Sequence, residues 1–243
     1  MARRLFFVDA VRGGRAWITG SDAHHLARVL RVAPGQKYEL SDNRSLYLAE
    51  VESARKDEVS FTILEKLEPP PAAAHTALFA ALVRFERFEW IVEKATELGV
   101  DSLHPFAAER SEKGLEAAAR KRVERWRRIA REASEQSRRL FQPDILEPES
   151  GPPVGASQEY RFLLDEAPDA APILEILPAQ RLPGDQIALC VGPEGGWTER
   201  ERVALVESGW KRVSLGSQVL RAETAAAAAL AIVNAAWQAR AVP

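Results

Sequence analysis

Two polar, glycine-containing segments near the carboxyl end of the chain hold the residue types that could bind a ligand and do chemistry. Residues 191–198 read Val-Gly-Pro-Glu-Gly-Gly-Trp-Thr, and residues 215–224 read Leu-Gly-Ser-Gln-Val-Leu-Arg-Ala-Glu-Thr. Glycine allows a backbone to approach a ligand closely, and free N–H groups at the start of a helix favour a carboxylate or a phosphate. The first segment alone is equally compatible with a tight strand-to-helix turn that binds nothing.

The elements on either side of these segments are those of an α/β sheet. The apolar run at residues 187–191 predicts a buried strand. The capping-box spacing of Thr198 and Glu201 predicts a helix that ends near Gly209. A second short strand is expected at residues 212–215. Because ligands bind where loops leave the carboxyl ends of strands in an open sheet, we expect the two segments to form one site.

Taken together, the two segments resemble those of the SPOUT class of RNA methyltransferases. Gly-Pro-Glu-Gly-Gly at residues 192–196, followed about twenty residues later by Leu-Gly-x-x-x-Leu-Arg-x-Glu-Thr-Ala, is similar to the RsmE family. That family methylates N3 of a uridine in small-subunit (16S) ribosomal RNA. The resemblance implies an α/β fold with a mostly parallel sheet and a carboxyl-terminal trefoil knot, preceded by a small PUA-like β-barrel domain. The knot rests on the resemblance alone, since threaded chains are essentially absent from ordinary folds.

The resemblance also implies a cofactor, S-adenosylmethionine, which leaves as S-adenosylhomocysteine. Asp165 or Glu166, at the end of a predicted strand at residues 161–166, would face its ribose hydroxyls or its sulfonium. Leu215 and Leu220 would offer backbone groups and apolar walls to the adenine. The residues expected to surround the cofactor are Leu164, Glu166, Val191, Gly192, Pro193, Gly196, Leu215, Gly216, Ser217, Leu220 and Thr224.

Methylation of N3 of uridine requires an in-line approach to the methyl group and loss of the imide proton. Most of the rate should come from positioning the two reactants, and a general base adds about a hundredfold or more. We assign proton removal to Glu223, with Glu194 as the alternative base. We assign Arg221 to stabilising the uracil oxygens as negative charge develops, because a guanidinium is not expected to deprotonate.

The first part of the chain has the pattern of a small β-rich module. Apolar and alternating runs predict strands at residues 5–8, 16–19, 46–51 and 58–65. Ser21 can cap a short helix that extends to about Leu30. Five or six strands around one helix favour a compact barrel. The proline run that follows Glu68 is stiff and cannot pair in a sheet, so we expect domains at residues 1–70 and 71–243.

Basic residues on the predicted first helix could contact RNA. Residues 25–31 resemble the His-x-x-x-Val-Leu-Arg signature of the RsmE amino-terminal domain. This resemblance implies that Arg4, His25, Arg28 and Arg31 help to hold RNA; a solvated basic helix face is the alternative. Two adjacent histidines without a third ligand make a poor metal site, and we expect no metal.

A second basic region lies at residues 110–139, with eleven Lys or Arg against five Glu in a chain whose net charge is −2. An apolar stripe predicts one long helix here, and its arginines could simply be solvated or paired with glutamates. If these arginines are free to bind a polyanion, RNA phosphates would lie along this helix. The segment Glu-Gln-x-x-Arg at residues 135–139 resembles the family, which carries over Arg139 as an RNA contact. Arg110 and Arg138, in the same basic region, are also assigned to RNA. Arg138 stands where the family commonly has glycine, and residues 140–142 are less polar than we expect.

The middle of the chain alternates strands and helices, which favours a mostly parallel sheet. An apolar strand is expected at residues 76–83, followed by a helix at residues 85–98 that ends at Gly99. The next strand, at residues 102–106, contains Pro105, which must interrupt it or place it at an edge.

Composition excludes several other classes of protein. The only cysteine, Cys190, lies in a predicted strand and cannot form an internal disulfide or a cysteine-based metal site. Neither a signal-peptide pattern nor an apolar run long enough to span a bilayer occurs, so we expect a soluble cytoplasmic protein. Neither a P-loop nor a Rossmann glycine motif is present, which disfavours other nucleotide-binding enzymes.

The last predicted helix, at residues 224–239, is apolar on nearly every side and must be covered on more than one face. A second subunit would provide that cover, and the family resemblance implies a homodimer that acts on ribosomal RNA or the small ribosomal subunit. The alternative is a non-catalytic RNA-binding or ribosome-assembly protein that uses the SPOUT-like domain as a dimer platform.

Overall fold

The computed structural model describes residues 4–68 and 74–239. They form two compact units. The first contains the described residues before 69 together with Ser134–Gln142, and the second contains the remaining described residues. The proline run at residues 69–71, where the sequence predicts the domain junction, lies outside the described residues.

The first unit is built on a six-stranded sheet. Its order is β1-β4-β5-β6-β3-β2, with β1 parallel to β4 and the other pairs antiparallel. Along β3 the buried residues Ala16 and Ile18 alternate with exposed neighbours, as expected for a strand with one face in the core. The strands are β1 (Leu5–Phe7), β2 (Val11–Arg12), β3 (Arg15–Thr19), β4 (Lys37–Ser41), β5 (Leu46–Ala54) and β6 (Glu58–Leu67).

The helix of the first unit differs from the prediction. It begins one residue before Ser21, as α1 (Gly20–His24), and then continues as a π-helical turn, His25–Val29. Thr19 is at the N-cap and no side chain caps the helix, so the cap assigned to Ser21 is wrong. The widened turn buries Leu26 in the core of the unit. A capping rule uses only neighbouring residues and therefore does not include this tertiary contact.

The second unit is an α/β sheet in which every described strand pair is parallel, which confirms the expected mostly parallel fold. Its order is β10-β8-β7-β13-β11-β14-β12, and β9 also pairs with β8. The strands are β7 (Ala74–Ala81), β8 (Ser102–Ala107), β9 (Asp144–Ile145), β10 (Glu149–Ser150), β11 (Tyr160–Leu164), β12 (Ala171–Pro172), β13 (Asp185–Val191) and β14 (Lys211–Ser214).

Helices cover this sheet and bury a large apolar core. The stripe of α2 enters that core through residues such as Phe88, Ile91 and Val92, and Gly99 follows the helix with a φ of 88°. Each fully buried side chain of this size contributes about 1.5–3 kcal/mol. The helices are α2 (Phe85–Glu97), α3 (Leu115–Arg120), α4 (Val123–Ser137), α5 (Ile173–Ile176), α6 (Glu199–Glu207) and α7 (Ala222–Gln238).

Pro105 lies inside β8 without ending it. On one side β8 pairs with β7 from Ser102 to Phe106. On the other side the carbonyls of Leu103 and Ala107 accept hydrogen bonds from residues after β9 and β10, which are separate two-residue strands. In a parallel strand alternate residues face the same neighbour, so the nitrogen of Pro105 faces the gap between β9 and β10. The missing N–H therefore costs no ladder hydrogen bond.

The single long helix predicted in the basic region is wrong, because α3 ends at Arg120 and α4 begins at Val123. The apolar spacing is unbroken across the gap: Ala119, Val123 and Trp126 are all buried. Hydrophobic periodicity therefore could not reveal the break. Arg122, within the break, places its guanidinium 4.3 Å from the centroid of the Phe85 ring.

The end of α4 shows why glycine is common in the family at the position of Arg138. Its amide donates to the carbonyl of Glu135, and the amide of Arg139 donates to that of Ser134, which is the Schellman pattern. Arg138 occupies the left-handed position of this motif with a φ of 58°, where glycine is the usual residue. Leu140 then packs against the cluster formed by Leu5, Phe7 and Leu46, which accounts for its apolar character.

Two further observations bear on function. No helix in the described ranges has both the length and the apolar composition needed to cross a membrane. Cys190 is buried in β13, and burial raises the pKa of its thiol well above the ordinary value. The trefoil knot stays a prediction.

Candidate active site

The two glycine-containing segments lie side by side at the carboxyl ends of three neighbouring strands. β13, β11 and β14 are adjacent in the sheet, and the residues that follow them line one cavity of about 450 Å³. The two segments therefore converge as the sequence predicts. They do so because the parallel strands that precede them end at the same edge of the sheet.

The cavity contains most of the residues that the resemblance assigns to the cofactor. Those that line it are Leu164, Glu166, Val191, Gly192, Pro193, Gly196, Leu215, Gly216 and Leu220. Ser217 and Thr224 do not belong to the lining. Thr224 is exposed and lies in the first turn of α7, because that helix begins two residues earlier than predicted. Binding of a cofactor by this whole set stays a prediction.

Gly192 is required by the packing of Trp197. A Cβ atom at Gly192 would lie 2.8 Å from Cε2 of the Trp197 ring, closer than real Cβ contacts come. That ring is fully buried, and its Nε1 donates a 2.9 Å hydrogen bond to the carbonyl of Leu164. Trp197 thus connects the first glycine segment to the end of β11. No role was assigned to Trp197 from the sequence, because its position next to Gly196 was the only signal that it belongs to the site.

Gly196 allows a similar approach on the other side of the loop. It has a φ of 70°, and a Cβ atom there would lie 2.6 Å from Oε1 of Glu166. The carboxylate of Glu166 therefore lies directly over the glycine segment, at the wall of the cavity. Close approach and a left-handed backbone are both reasons for glycine at this position.

The structure distinguishes the two carboxylates at the end of β11. The Asp165 side chain is fully buried and receives hydrogen bonds from Nε of Arg212 at 2.7 Å and Nε of Arg202 at 3.0 Å. Burial alone would raise the pKa of Asp165, but these hydrogen bonds outweigh it and hold the pKa below its usual value. Asp165 is therefore bound by two arginines, whereas the Glu166 side chain is 43% exposed.

Arg110, which the sequence assigns to RNA, contacts the first glycine segment. Its Nη1 donates to the carbonyl of Gly195 at 3.0 Å and to that of Trp197 at 3.4 Å. A Cβ atom at Gly195 would lie 3.0 Å from Cβ of Arg110. Arg110 therefore stabilises the loop through two of its backbone carbonyls. A contact between Arg110 and RNA stays a prediction.

The two residues assigned to catalysis occupy different places. Arg221 is the exposed N-cap residue of α7 and lines the cavity. Glu223 lies in the first turn of α7, outside the lining, with its side chain 14% exposed. Its Oε1 is 3.8 Å from Nε of Arg87, which does line the cavity and also forms an ion pair with Glu194. Sequence reasoning missed Arg87, since it lies far from both segments in the chain.

The remaining residues assigned to RNA belong to the first unit. Arg4, His25, Arg28 and Arg31 are exposed, as is Arg138. Arg139 is half-buried, and its Nε donates to the carbonyl of Phe141 at 3.1 Å. Within residues 4–68 and 74–239, no three His, Cys, Asp or Glu side chains are grouped so that they could hold a metal ion. The RNA contacts of Arg4, His25, Arg28, Arg31, Arg138 and Arg139 stay predictions.

Comparison with known proteins agrees with this architecture. Residues 70–234 match a family described as the RNA methyltransferase domain, and residues 18–64 match one described as the RNA methyltransferase PUA domain. The ribosomal RNA small subunit methyltransferase E of Mycobacterium bovis is 34% identical over 246 residues, which covers 96% of this chain and 92% of that protein. The PUA domain ahead of the parallel sheet is thereby confirmed.

Solved structures are similar over nearly the whole chain. A ribosomal RNA small subunit methyltransferase E from Neisseria gonorrhoeae, bound to S-adenosyl methionine, has a TM-score of 0.82 and 26% identity, covering 97% of this chain and 98% of that chain. A Legionella pneumophila protein in complex with the bound cofactor SAM has a TM-score of 0.83 and 27% identity, with the same coverage. The chain therefore belongs to the ribosomal RNA small subunit methyltransferase E family, the RsmE family that its two glycine-containing segments resemble.

Proposed function

We propose that this protein transfers the methyl group of S-adenosylmethionine to N3 of a uridine in small-subunit ribosomal RNA. The observation that carries the proposal is the single cavity that the two glycine-containing segments form at the edge of the sheet. The relatives named as ribosomal RNA small subunit methyltransferase E, one of them solved with S-adenosyl methionine, support both the reaction and the donor.

The residues of the cavity suit this donor. About 450 Å³ lies within the range of small-molecule sites. Leu215 and Leu220 provide apolar walls for a purine, and the Glu166 carboxylate can accept hydrogen bonds from ribose hydroxyls. The close approaches of Gly192 to Trp197 and of Gly196 to Glu166 leave no space for a Cβ atom, so glycine at both positions keeps the loop in its shape at the cavity wall. The cofactor supplies an activated methyl group on a sulfonium.

The remaining chemistry falls to the side chains around the cavity. Arg221 donates to a uracil oxygen and stabilises the charge that develops there when the imide proton leaves. Glu223 accepts that proton, and Glu194 remains the alternative because it lines the cavity and Glu223 does not. A general base in this place contributes about a hundredfold or more. Glu223→Gln and Glu194→Gln, compared in single-turnover methylation, decide between them.

We also propose a homodimer in which α7 contributes to the interface. One face of α7 is buried in the core through residues such as Ala226, Leu230 and Val233. Its other faces carry exposed or half-exposed alanines, among them Ala231 and Ala235, which are small enough for close helix packing. The proposal also includes domains at residues 1–70 and 71–243. It places RNA on the basic residues and the protein in the cytoplasm.

The proposal is tested on small ribosomal subunits and free 16S RNA from a strain that lacks the enzyme. The full-length protein is incubated with either substrate and S-adenosylmethionine, and the RNA is digested for nucleoside mass spectrometry. We expect one equivalent of 3-methyluridine at a single position. Binding of S-adenosylmethionine in a calorimeter without any methylated nucleoside in either substrate would contradict the reaction; no binding at all would contradict the site.

A further inference from the structure

Arg87 connects the two halves of the cavity. It lies in the first turn of α2, and its side chain is 32% exposed at the cavity wall. Its guanidinium forms an ion pair with Glu194, which belongs to the first glycine-containing segment, and its Nε is 3.8 Å from Oε1 of Glu223 at the start of α7. One cation therefore contacts a carboxylate from each side of the site.

Arg87 shares its positive charge between two carboxylates. The Glu223 side chain is 14% exposed, and its Oε2 is buried without a hydrogen-bond partner in the described part of the chain. A buried carboxylate oxygen that accepts no hydrogen bond is costly to maintain, so the position of Glu223 depends on its ion pair with Arg87.

We propose that Arg87 is a positioning residue for methyl transfer, which links Glu194 in the cavity wall to Glu223 at the start of α7 and so orients the carboxylate that takes the N3 proton. This inference rests on the proposed function. In the step, the N3–H bond of uracil breaks and an O–H bond forms on the carboxylate. The electron pair left on N3 forms the new N–CH₃ bond while the S–CH₃ bond breaks, and its electron pair stays on sulfur as a neutral thioether. Arg87 then pairs with the carboxylate that remains charged.

The test compares Arg87→Gln, Arg87→Lys and a matched control in the full-length protein. The control is Arg84→Gln, at the exposed N-cap of the same helix, whose side chain makes no capping hydrogen bond and does not line the cavity. Single-turnover methylation of small subunits from the deletion strain is measured at saturating cofactor and RNA. The affinity for S-adenosylmethionine is measured separately by calorimetry.

We expect Arg87→Gln to lower the single-turnover rate about 10- to 100-fold, because a misplaced reacting group costs up to about that factor. Its affinity for S-adenosylmethionine should change by less than about threefold, since the apolar walls and glycine turns remain. Arg87→Lys keeps one positive charge, so the logarithm of its single-turnover rate should lie at least halfway from that of Arg87→Gln to that of the wild type. Arg84→Gln should match the wild type.

Two results overturn the inference. If Arg87→Gln retains the wild-type rate, Arg87 does not position the reacting groups. If Arg87→Gln and Arg87→Lys lose rate and cofactor affinity in parallel, Arg87 merely supports the glycine segment. Failure of the proposed function looks different, because the wild-type protein itself would then produce no 3-methyluridine.

Discussion

Replacement of Gly192 by alanine tests whether the first glycine-containing segment is shaped by Trp197. The added Cβ atom would meet three atoms of the indole, Cε2 at 2.8 Å, Nε1 at 2.9 Å and Cζ2 at 3.2 Å. The ring has little freedom to move away, because it is fully buried and its centroid lies 6.1 Å from that of the Phe106 ring in a stacked arrangement. The backbone at Gly192 or the hydrogen bond from Trp197 to Leu164 must therefore give way.

The cost can be built from these contacts. Overpacking of a buried site costs about 1–3 kcal/mol, and a buried hydrogen bond left unmade costs about 1–3 kcal/mol. Because relaxation removes part of one or the other, we expect Gly192→Ala to lower the free energy of unfolding by about 2–4 kcal/mol. We also expect weaker binding of S-adenosylmethionine, since the displaced backbone forms the cavity wall.

Urea denaturation and calorimetry measure the two effects. The matched control is Gly155→Ala, where a Cβ atom meets nothing within 4 Å; we expect a change of less than about 0.5 kcal/mol. Trp197→Phe removes the indole nitrogen, so the double variant should be less destabilised than the sum of the single variants by about 1 kcal/mol or more. Equal stabilities of the Gly192→Ala and Gly155→Ala proteins, with unchanged cofactor affinity, would refute the steric argument.

Three further predictions concern stability and reactivity. Arg138→Gly should raise the free energy of unfolding by about 0.5–1 kcal/mol, because it relieves the left-handed φ of 58°; urea denaturation measures this, and Arg138→Ala, which keeps the strain, should show no gain. Asp165→Asn should cost about 3 kcal/mol at neutral pH. The pKa of Asp165 is lowered in the folded protein, so its ionised carboxylate stabilises the fold above the ordinary pKa of 3.8. This contribution is lost as the pH falls through the lowered pKa, so the stability difference between the two proteins should shrink in acid; a constant difference would contradict this. Cys190 should react with a thiol reagent only as fast as the protein unfolds, since its side chain is fully buried and burial also raises the pKa of its thiol; rapid reaction of the native protein would show that β13 is accessible.

Local patterns were sufficient wherever a short stretch of chain satisfies its own hydrogen bonds. Thr198 and Glu201 form the predicted capping box: the Thr198 hydroxyl accepts from the amide of Glu201, whose carboxylate accepts from the amide of Thr198. The alternation of strands and helices likewise predicted the parallel sheet, because each strand and helix carries its own period of apolar residues. The two glycine-containing segments were recognisable for the same reason.

Local patterns failed where distant residues decide the backbone. The break between α3 and α4 lies inside an uninterrupted apolar stripe, so periodicity predicted one helix. Ser21 has the chemistry of a cap, yet α1 begins before it and its π-helical continuation buries Leu26. Arg138 adopts a conformation that glycine favours; its own residue type gave no sign of this, and only the glycine common in the family at this position pointed to it.

The family, the main strands and helices of the parallel sheet and the two glycine-containing segments could be read from the sequence, since each depends on residues close together in the chain. The tertiary structure decided which polar groups are available at the site. Asp165 and Glu166 are neighbours in sequence, and only the approach of Arg202 and Arg212 from other elements separates a buried structural carboxylate from an exposed one. Arg87 likewise reaches the site from α2, because charges meet in space according to how the elements pack rather than where they occur in the chain.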